Sequence, residues 1–133
     1  MTVPLSELTR RLLDGPNFAV LATTNTDNSP QTSMMWIGRD GEDLIFSARA
    51  SRLKNRNIRH QPSVSVILMN ANDAYEYVEI RGTATIEDAG GWELHDALSV
   101  KYDGKPADPE PPDWVRVVIR VKPQRLRDYT ETA

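Results

Sequence analysis

The 133-residue chain contains no cysteine. This excludes a disulfide framework, a thiolate zinc site and a cysteine nucleophile. No apolar run approaches the ~20 residues that a membrane helix needs, so we expect no membrane partner. The N-terminus also lacks a signal-peptide pattern, which leads us to expect a cytoplasmic protein.

Histidine is scarce as well. The two histidines, His60 and His95, fall in different predicted elements, and neither has carboxylates at metal-ligand spacing. We therefore expect no metal site. No Ser, His and Asp grouping is supported as a triad, and Gly90-Gly91 is not a dinucleotide fingerprint. The sequence thus leaves the catalytic residues unknown.

Basic charge is not in excess. The formal net charge of −3 and the pI near 5.4 argue against a general nucleic-acid binder, so we expect no nucleic-acid partner. Hydrophobic residues make up 39% of the chain, which indicates a globular protein. With no repeat and no linker, residues 1–133 are expected to form one domain.

Against this acidic background, one stretch is strongly basic. No Asp or Glu occurs in residues 44–72, and residues 47–62 carry five cations. Ser51 is a suitable N-cap and Pro62 a terminator, so residues 52–60 are predicted to form a short helix. The five cations are Arg49, Arg52, Lys54, Arg56 and Arg59.

Two of these cations, Arg52 and Lys54, fall in the first turn of the predicted helix. Cations are disfavoured there because a helix N-terminus carries a partial positive charge. Their presence indicates that an anion binds at this point, most simply a phosphate. The alternative is a solvated basic face with Leu53 and Ile58 turned inward.

Apolar alternation and turn residues predict about six strands and two further helices. Gly82 is expected to mark a bend or bulge, Pro123 to break the last strand, and residues 126–129 to continue the edge. The predicted helices are residues 4–13, 52–60 and 92–102, and the predicted strands are residues 17–24, 31–38, 43–48, 63–69, 75–87 and 115–121.

This pattern predicts a mainly β (α+β) fold, a six-stranded antiparallel barrel with short peripheral helices. Residues 103–113 contain four prolines and are predicted to be a surface loop. The strands at 18–24 and 34–37 are apolar on both faces, which is more apolar surface than one small barrel encloses. We therefore expect a homodimer.

Three segments together resemble a known family. Residues 18–24, 27–31 and 51–65 are similar to the split β-barrel flavin and deazaflavin reductases of the pyridoxamine-phosphate-oxidase-like superfamily. The likeness is closer to the branch that uses coenzyme F-420, an 8-hydroxy-5-deazaflavin. It implies a split β-barrel homodimer with the cofactor in a groove at the interface between the subunits.

The resemblance also implies a set of cofactor-binding residues. Arg52, Lys54 and Asn57 would hold the phosphate, and Tyr75 and Tyr77 would reach the cofactor near the opposite subunit. Cross-strand packing is the alternative for the two tyrosines. The full implied set lies on the predicted second, third and fifth strands and on the basic helix: Gln31, Ser33, Ser47, Ala48, Arg49, Arg52, Lys54, Asn57, Tyr75 and Tyr77.

The expected function follows from this resemblance. It is an F-420-dependent reductase that passes a hydride to an electron-poor carbon of a small organic substrate. Solvent, Tyr77 and His60 remain open as the proton partner. An FMN-dependent oxidoreductase of the same fold and a non-catalytic F-420 binding or carrier protein are the alternatives. Two departures, Met34 and Met35, and the proline-rich segment leave the substrate pocket undefined.

Overall fold

The structure, a computed structural model, describes residues 1–129 and contains three helices and seven strands. The helices are α1 (Glu7–Asp14), α2 (Leu53–His60) and α3 (Gly91–Asp103). The strands are β1 (Phe18–Thr24), β2 (Pro30–Met35), β3 (Gly38–Asp40), β4 (Asp43–Arg49), β5 (Ser63–Asn70), β6 (Asp73–Glu87) and β7 (Arg116–Tyr129).

All seven strands belong to one antiparallel sheet in the order β2-β1-β5-β6-β7-β4-β3. The mainly β, α+β class is confirmed, but the sheet has seven strands where a six-stranded antiparallel barrel was predicted, and it is not closed. The second strand was predicted to run to residue 38. In the structure β2 ends at Met35, and a separate three-residue strand, β3, follows it. The edge strands β2 and β3 do not pair with one another within residues 1–129, so the sheet is not closed.

A tight turn joins β3 to β4. Asp40 pairs with Asp43, and Gly41 between them has a φ of 61°, a left-handed conformation that glycine adopts readily. This tight turn explains the extra strand, because it folds residues 38–40 back onto β4.

One face of the sheet forms the core. Alternate residues of each strand are buried, such as Leu21 on β1, Phe46 on β4 and Ile80 on β6, and α1 adds Leu12 and Leu13. This period-two burial follows from the opposite orientation of successive side chains in a strand.

The opposite face of β2, β1 and β5 carries uncovered apolar side chains. Val20 pairs directly with both Met34 and Ile67, and Phe18 lies two residues before it on the same face. Phe18, Met34 and Ile67 are 47%, 66% and 36% exposed. We call Phe18, Val20, Met34 and Ile67 the exposed apolar face.

The prediction that Pro123 breaks the last strand was wrong, because β6 and β7 form a bulge at this point. The pairing shifts between Arg81 and Gly82, and Gly82 lies opposite Pro123. A Cβ at Gly82 would lie 2.3 Å from the carbonyl oxygen of Lys122, so only glycine fits. The bulge accommodates the missing N–H of Pro123, and β7 therefore continues through it instead of breaking.

The helix ends also differ from expectation in one respect. The N-cap of α2 is Arg52 and not Ser51, and no side chain caps the helix. By contrast, Ser6 caps α1 by accepting a hydrogen bond from the Thr9 backbone N–H at 3.1 Å. No helix within residues 1–129 is long and apolar enough to cross a membrane.

The proline-rich loop, defined as residues 104–115, is irregular as predicted. It is held against α3 by two hydrogen bonds. The Ser99 hydroxyl donates to the Lys105 carbonyl at 2.8 Å, and the Ala107 N–H donates to the Asp96 carboxylate at 2.8 Å. At the end of the loop, the Ala50 N–H donates to the Val115 carbonyl at 2.7 Å, which places this part of the loop beside the end of β4.

Candidate functional site

A cavity of about 490 Å³ lies between the end of β4, the start of α2, one face of α3 and the β1–β2 hairpin. Its volume is within the range typical of small-molecule sites. Fifteen residues line it: Asn17, Phe18, Ala19, Met34, Met35, Trp36, Ser47, Ala48, Arg49, Arg52, Lys54, His95, Leu98, Tyr102 and Arg116.

One end of the cavity is cationic, and we define this cationic end as Arg49, Arg52, Lys54 and Arg116. The lining contains no Asp or Glu. Between described residues, no ion pair involves Arg49, Arg52 or Lys54. Burial lowers the pKa of Lys54, and the charges of Arg52 and Arg116 lower it further. Like charges gathered without a counter-ion fit an anionic ligand.

Arg49 carries a further sign of a missing anionic partner. Its Nε is buried and has no hydrogen-bond partner among residues 1–129. Its guanidinium lies 3.6 Å from the ring centre of Trp114, at the end of the proline-rich loop, which holds it by a cation–π contact. The stacked face leaves the edge of the guanidinium, where the N–H donors lie, to meet a ligand.

Arg116 differs because it already has a carboxylate partner. Its guanidinium donates two hydrogen bonds of 2.7 Å to Glu110 of the proline-rich loop, and the two side chains are 13% and 15% exposed. This forked pair fixes the loop against β7. The Arg116 charge is therefore partly neutralised, while those of Arg52 and Lys54 are not.

The start of α2 is held to the end of β4 by a buried asparagine. The Asn55 side chain is 2% exposed, and its amide donates to the Arg49 carbonyl at 2.6 Å. The Arg52 N–H also donates to that carbonyl, at 3.0 Å. These bonds bring the uncapped helix N-terminus, with its partial positive charge, to the cationic end.

The other end of the cavity is aromatic, and we define this aromatic end as Trp36, His95 and Tyr102. Trp36 stacks with both other rings, with ring centres 5.7 Å from His95 and 5.4 Å from Tyr102. The Tyr102 hydroxyl donates to the Asn17 carbonyl at 2.6 Å and accepts from the Ile37 N–H at 3.3 Å. These contacts hold the three rings in place in the wall of the cavity.

Five of the ten residues implied by the resemblance line the cavity: Ser47, Ala48, Arg49, Arg52 and Lys54. The hydroxyl of Ser47 donates to the Gly91 carbonyl at 2.7 Å, which ties β4 to the start of α3. The structure thus brings together the end of β4 and the start of α2, as the basic stretch indicated.

Three of the implied residues, Asn57, Gln31 and Ser33, lie instead in a polar network between α2 and the β1–β2 hairpin. Asn57 is fully buried, and its amide donates to the Thr23 hydroxyl at 3.1 Å and to Asn25 at 2.8 Å. Thr23 donates to Gln31, and Gln31 donates to Ser33, both at 2.8 Å. Asn57 thus anchors α2 to β1, and none of the three lines the cavity of its own chain.

The remaining two implied residues, Tyr75 and Tyr77, also lie outside the cavity. Tyr75 is 71% exposed. Tyr77 stacks on Tyr129 with ring centres 4.5 Å apart, and it pairs across strands with Met69, which in turn pairs with Phe18. Tyr77 therefore extends the exposed apolar face, and its contact with a cofactor of the opposite subunit stays a prediction.

The sequence reasoning missed the aromatic end and Arg116 as parts of the site. A signal was present for two of the missed residues. His95, Leu98 and Tyr102 are spaced i, i+3 and i+7, so they share one face of α3, and all three line the cavity. No local pattern in the sequence places Trp36 beside His95.

Comparison with known proteins identifies the class to which this fold and site belong. Residues 5–130 match the pyridoxamine 5'-phosphate oxidase family, and the chain belongs to that family. A search of proteins with curated functions gave no match.

Several solved structures share this fold. An F420 reductase is 33% identical with a TM-score of 0.80, covering 94% of this chain and 98% of that one. General stress protein 26 from Bacillus anthracis str. Sterne is 24% identical with a TM-score of 0.71, covering 92% of each chain. An FMN-binding protein from Nostoc punctiforme PCC 73102 is 18% identical with a TM-score of 0.62, covering 88% and 76%, and shows the shared fold alone.

Proposed function

We propose that the protein is an oxidoreductase that binds coenzyme F-420 in the cavity and reduces an electron-poor small organic substrate. The observation that carries this proposal is the cationic end, where Arg52 and Lys54 meet the uncapped N-terminus of α2 without a carboxylate partner among the described residues. The similarity to an F420 reductase at 33% identity over nearly the whole chain supports the choice of cofactor.

The residues present fit the phosphate of such a cofactor. Lys54 and Arg52 would bind it by charge-assisted hydrogen bonds, and the unpartnered edge of Arg49 would add another donor. Ser47 and Ala48 would line the neighbouring part of the molecule. A bound reduced deazaflavin supplies the hydride, and the protein supplies binding, orientation and exclusion of water.

We further propose that the protein works as a homodimer joined through the exposed apolar face. Phe18, Met34 and Ile67 are contiguous across three strands and exposed in the single chain, and apolar patches of this kind mark interaction surfaces. Pairing would bring Tyr75 and Tyr77 of one subunit toward the cavity of the other. Light scattering at micromolar concentration is expected to give twice the 15.0 kDa chain mass; the mass of a single chain would overturn the dimer.

The decisive experiment compares two cofactors and then asks for turnover. Calorimetric titration with F-420 and, separately, with FMN is expected to show tighter binding of F-420. Nanomolar FMN binding with no detectable F-420 binding would assign the protein to the flavin-dependent enzymes of the same fold. Tight F-420 binding with no reduction of enones or imines would instead indicate a carrier.

A further inference from the structure

The aromatic end contains one side chain that is free to exchange a proton with a bound substrate. The hydroxyl of Tyr102 is engaged by Asn17 and Ile37, and that of Ser47 by Gly91. The imidazole of His95 forms no hydrogen bond to any residue in the range 1–129, and its nearest carboxylate oxygen, on Glu110, is 3.7 Å from Nε2. His95 is therefore the available acid in this part of the wall.

Packing holds the His95 ring in place. The ring stacks on Trp36 at 5.7 Å with an interplanar angle of 18°, and Trp92 lies 5.6 Å away at 53°. The side chain is only 18% exposed. A ring constrained in this way keeps its orientation when a substrate binds, which is the property a proton donor requires.

His95 also separates two cavities. A second cavity of about 310 Å³ lies beneath the proline-rich loop, and Trp36 and His95 line both. Polar residues of the loop and of α3, such as Ser99 and Asp108, line this second cavity. One side of His95 thus faces the proposed substrate, while the other faces a polar space from which water can return a proton.

The charges around His95 come from three elements. Burial lowers the pKa of His95 below its usual value of 6.5, and the charge of Arg116 on β7 lowers it further. Glu110 of the loop and Asp96 of α3 act in the opposite direction. The result is an imidazolium that releases its proton more readily than an exposed histidine does.

We propose that His95 is a catalytic residue that donates the proton needed to complete reduction of an enone or imine in this cavity. The inference rests on the proposed function. The substrate gains a hydride at its electron-poor carbon as its C=C or C=N π bond breaks. The electron pair of the broken bond takes the proton of His95. Reduced F-420, when bound, would supply the hydride and be left oxidised, and a proton from solvent would restore the imidazolium.

Kinetics of two matched variants test this role. His95→Gln is expected to lower kcat with reduced F-420 by about a hundredfold or more, because general acids contribute roughly that much. F-420 affinity should stay within about threefold, since the cationic end is untouched. His60, the histidine that the sequence left open as a proton partner, is exposed on α2 and does not line the cavity, so His60→Gln tests the competing assignment and should leave kcat unchanged. An unchanged kcat in His95→Gln would overturn the proposal.

The pH profile separates proton donation from a merely structural role. The wild-type kcat is expected to fall as pH rises through the pKa of His95, below 6.5. In His95→Gln this falling limb should be absent. Glu110→Gln removes a charge that raises the pKa, so it should move the limb to lower pH. A limb that persists in His95→Gln belongs to another group and would contradict the assignment.

An NMR measurement tests substrate contact without the cofactor. The chain has two histidines, so its imidazole Hε1 signals are assigned with the single His60→Gln variant. Cyclohex-2-enone is expected to shift the His95 signal and leave that of His60 in place. A shifted His95 signal together with no F-420 binding would mean that the proposed function fails while the contact stands. An unmoved His95 signal at saturating enone would overturn the contact.

Discussion

The two ends of the cavity are built in opposite ways. Three of the four residues of the cationic end lie within the short segment 49–54, at the junction of β4 and α2. The aromatic end combines Trp36, which precedes β3, with two residues of α3 about sixty positions later. A local segment can thus define a charge, whereas a shaped wall requires distant parts of the chain.

The ends also differ in how well their polar groups are satisfied. At the cationic end Arg49 has a buried donor without a partner, and Lys54 has no ion pair within the described residues. At the aromatic end the Tyr102 hydroxyl has two partners, and beside it the Lys101 ammonium donates to the backbone carbonyls of Leu13 and Ile37. The His95 imidazole forms no hydrogen bond within residues 1–129 but is held by stacking on Trp36. We infer that the cationic end depends on a ligand to balance its charge, whereas packing and hydrogen bonds already fix the aromatic end.

Loss of a cation at the cationic end is expected to have the largest effect on F-420 affinity. Lys54→Ala should weaken F-420 binding about ten- to hundredfold, because a hydrogen bond to a charged group is worth about 1.5–3 kcal/mol. The fold should survive, since Lys54 is only partly buried and does not belong to the hydrophobic core. Calorimetric titration measures the affinity and thermal unfolding the stability.

Arg56→Ala is the matched control for Lys54, because Arg56 lies on the same helix but is exposed and outside the cavity. Equal losses from both substitutions would indicate a diffuse basic surface and would remove the distinction between the two ends. Wild-type affinity should also fall as ionic strength rises, because salt screens partly exposed charges.

A substitution at the aromatic end is expected to lower the stability of the protein and leave its cofactor affinity unchanged. Tyr102→Phe leaves the Asn17 carbonyl and the Ile37 N–H without their partner, which should lower the free energy of unfolding by about 1–2 kcal/mol. Chemical denaturation measures this loss. Tyr75→Phe, at an exposed position, is the control for the unfolding measurement alone. A large loss of F-420 affinity in Tyr102→Phe would show that the two ends are not separable.

A smaller effect is expected at the contact that supports Arg49. Trp114→Ala removes the cation–π contact, worth about 0.5–1 kcal/mol at a partly exposed site, so F-420 affinity should fall roughly two- to fivefold. Trp114→Phe retains a ring and should lose less. Identical affinities of the wild type and Trp114→Ala would mean that Arg49 needs no support from the loop.

Stability is also expected to depend on pH through Lys101. Burial lowers the pKa of Lys101 to about 8 in the native state, from 10.5 when exposed. Between about pH 8 and 10 the native state has released this proton while the unfolded chain retains it, so stability from this group rises with pH. Denaturation of the wild type and of Lys101→Met across this window measures it; equal slopes would contradict the low pKa. Lys105→Met, at an exposed position, is the control.

Most of the sheet could be predicted because its strands alternate sharply between apolar and polar residues. Residues 75–87 were predicted as one strand with a bulge at Gly82, and β6 matches this with two more residues at its start. Pro123 was misinterpreted because its effect depends on the residue opposite it. A proline breaks a regular ladder, but opposite the bulge at Gly82 its missing N–H is tolerated.

By itself, the sequence determined the antiparallel strands, the basic segment at the start of α2 and the family to which the chain belongs. These features depend on neighbouring residues, whose periodicity and charge act over a few positions. Only the tertiary structure decided which side chains reach the cavity. Asn57 is buried on the inner side of α2, and His95 lies in the wall of the cavity beside Trp36. The sequence could not show this, because the environment of a side chain depends on the packing of elements distant in the chain.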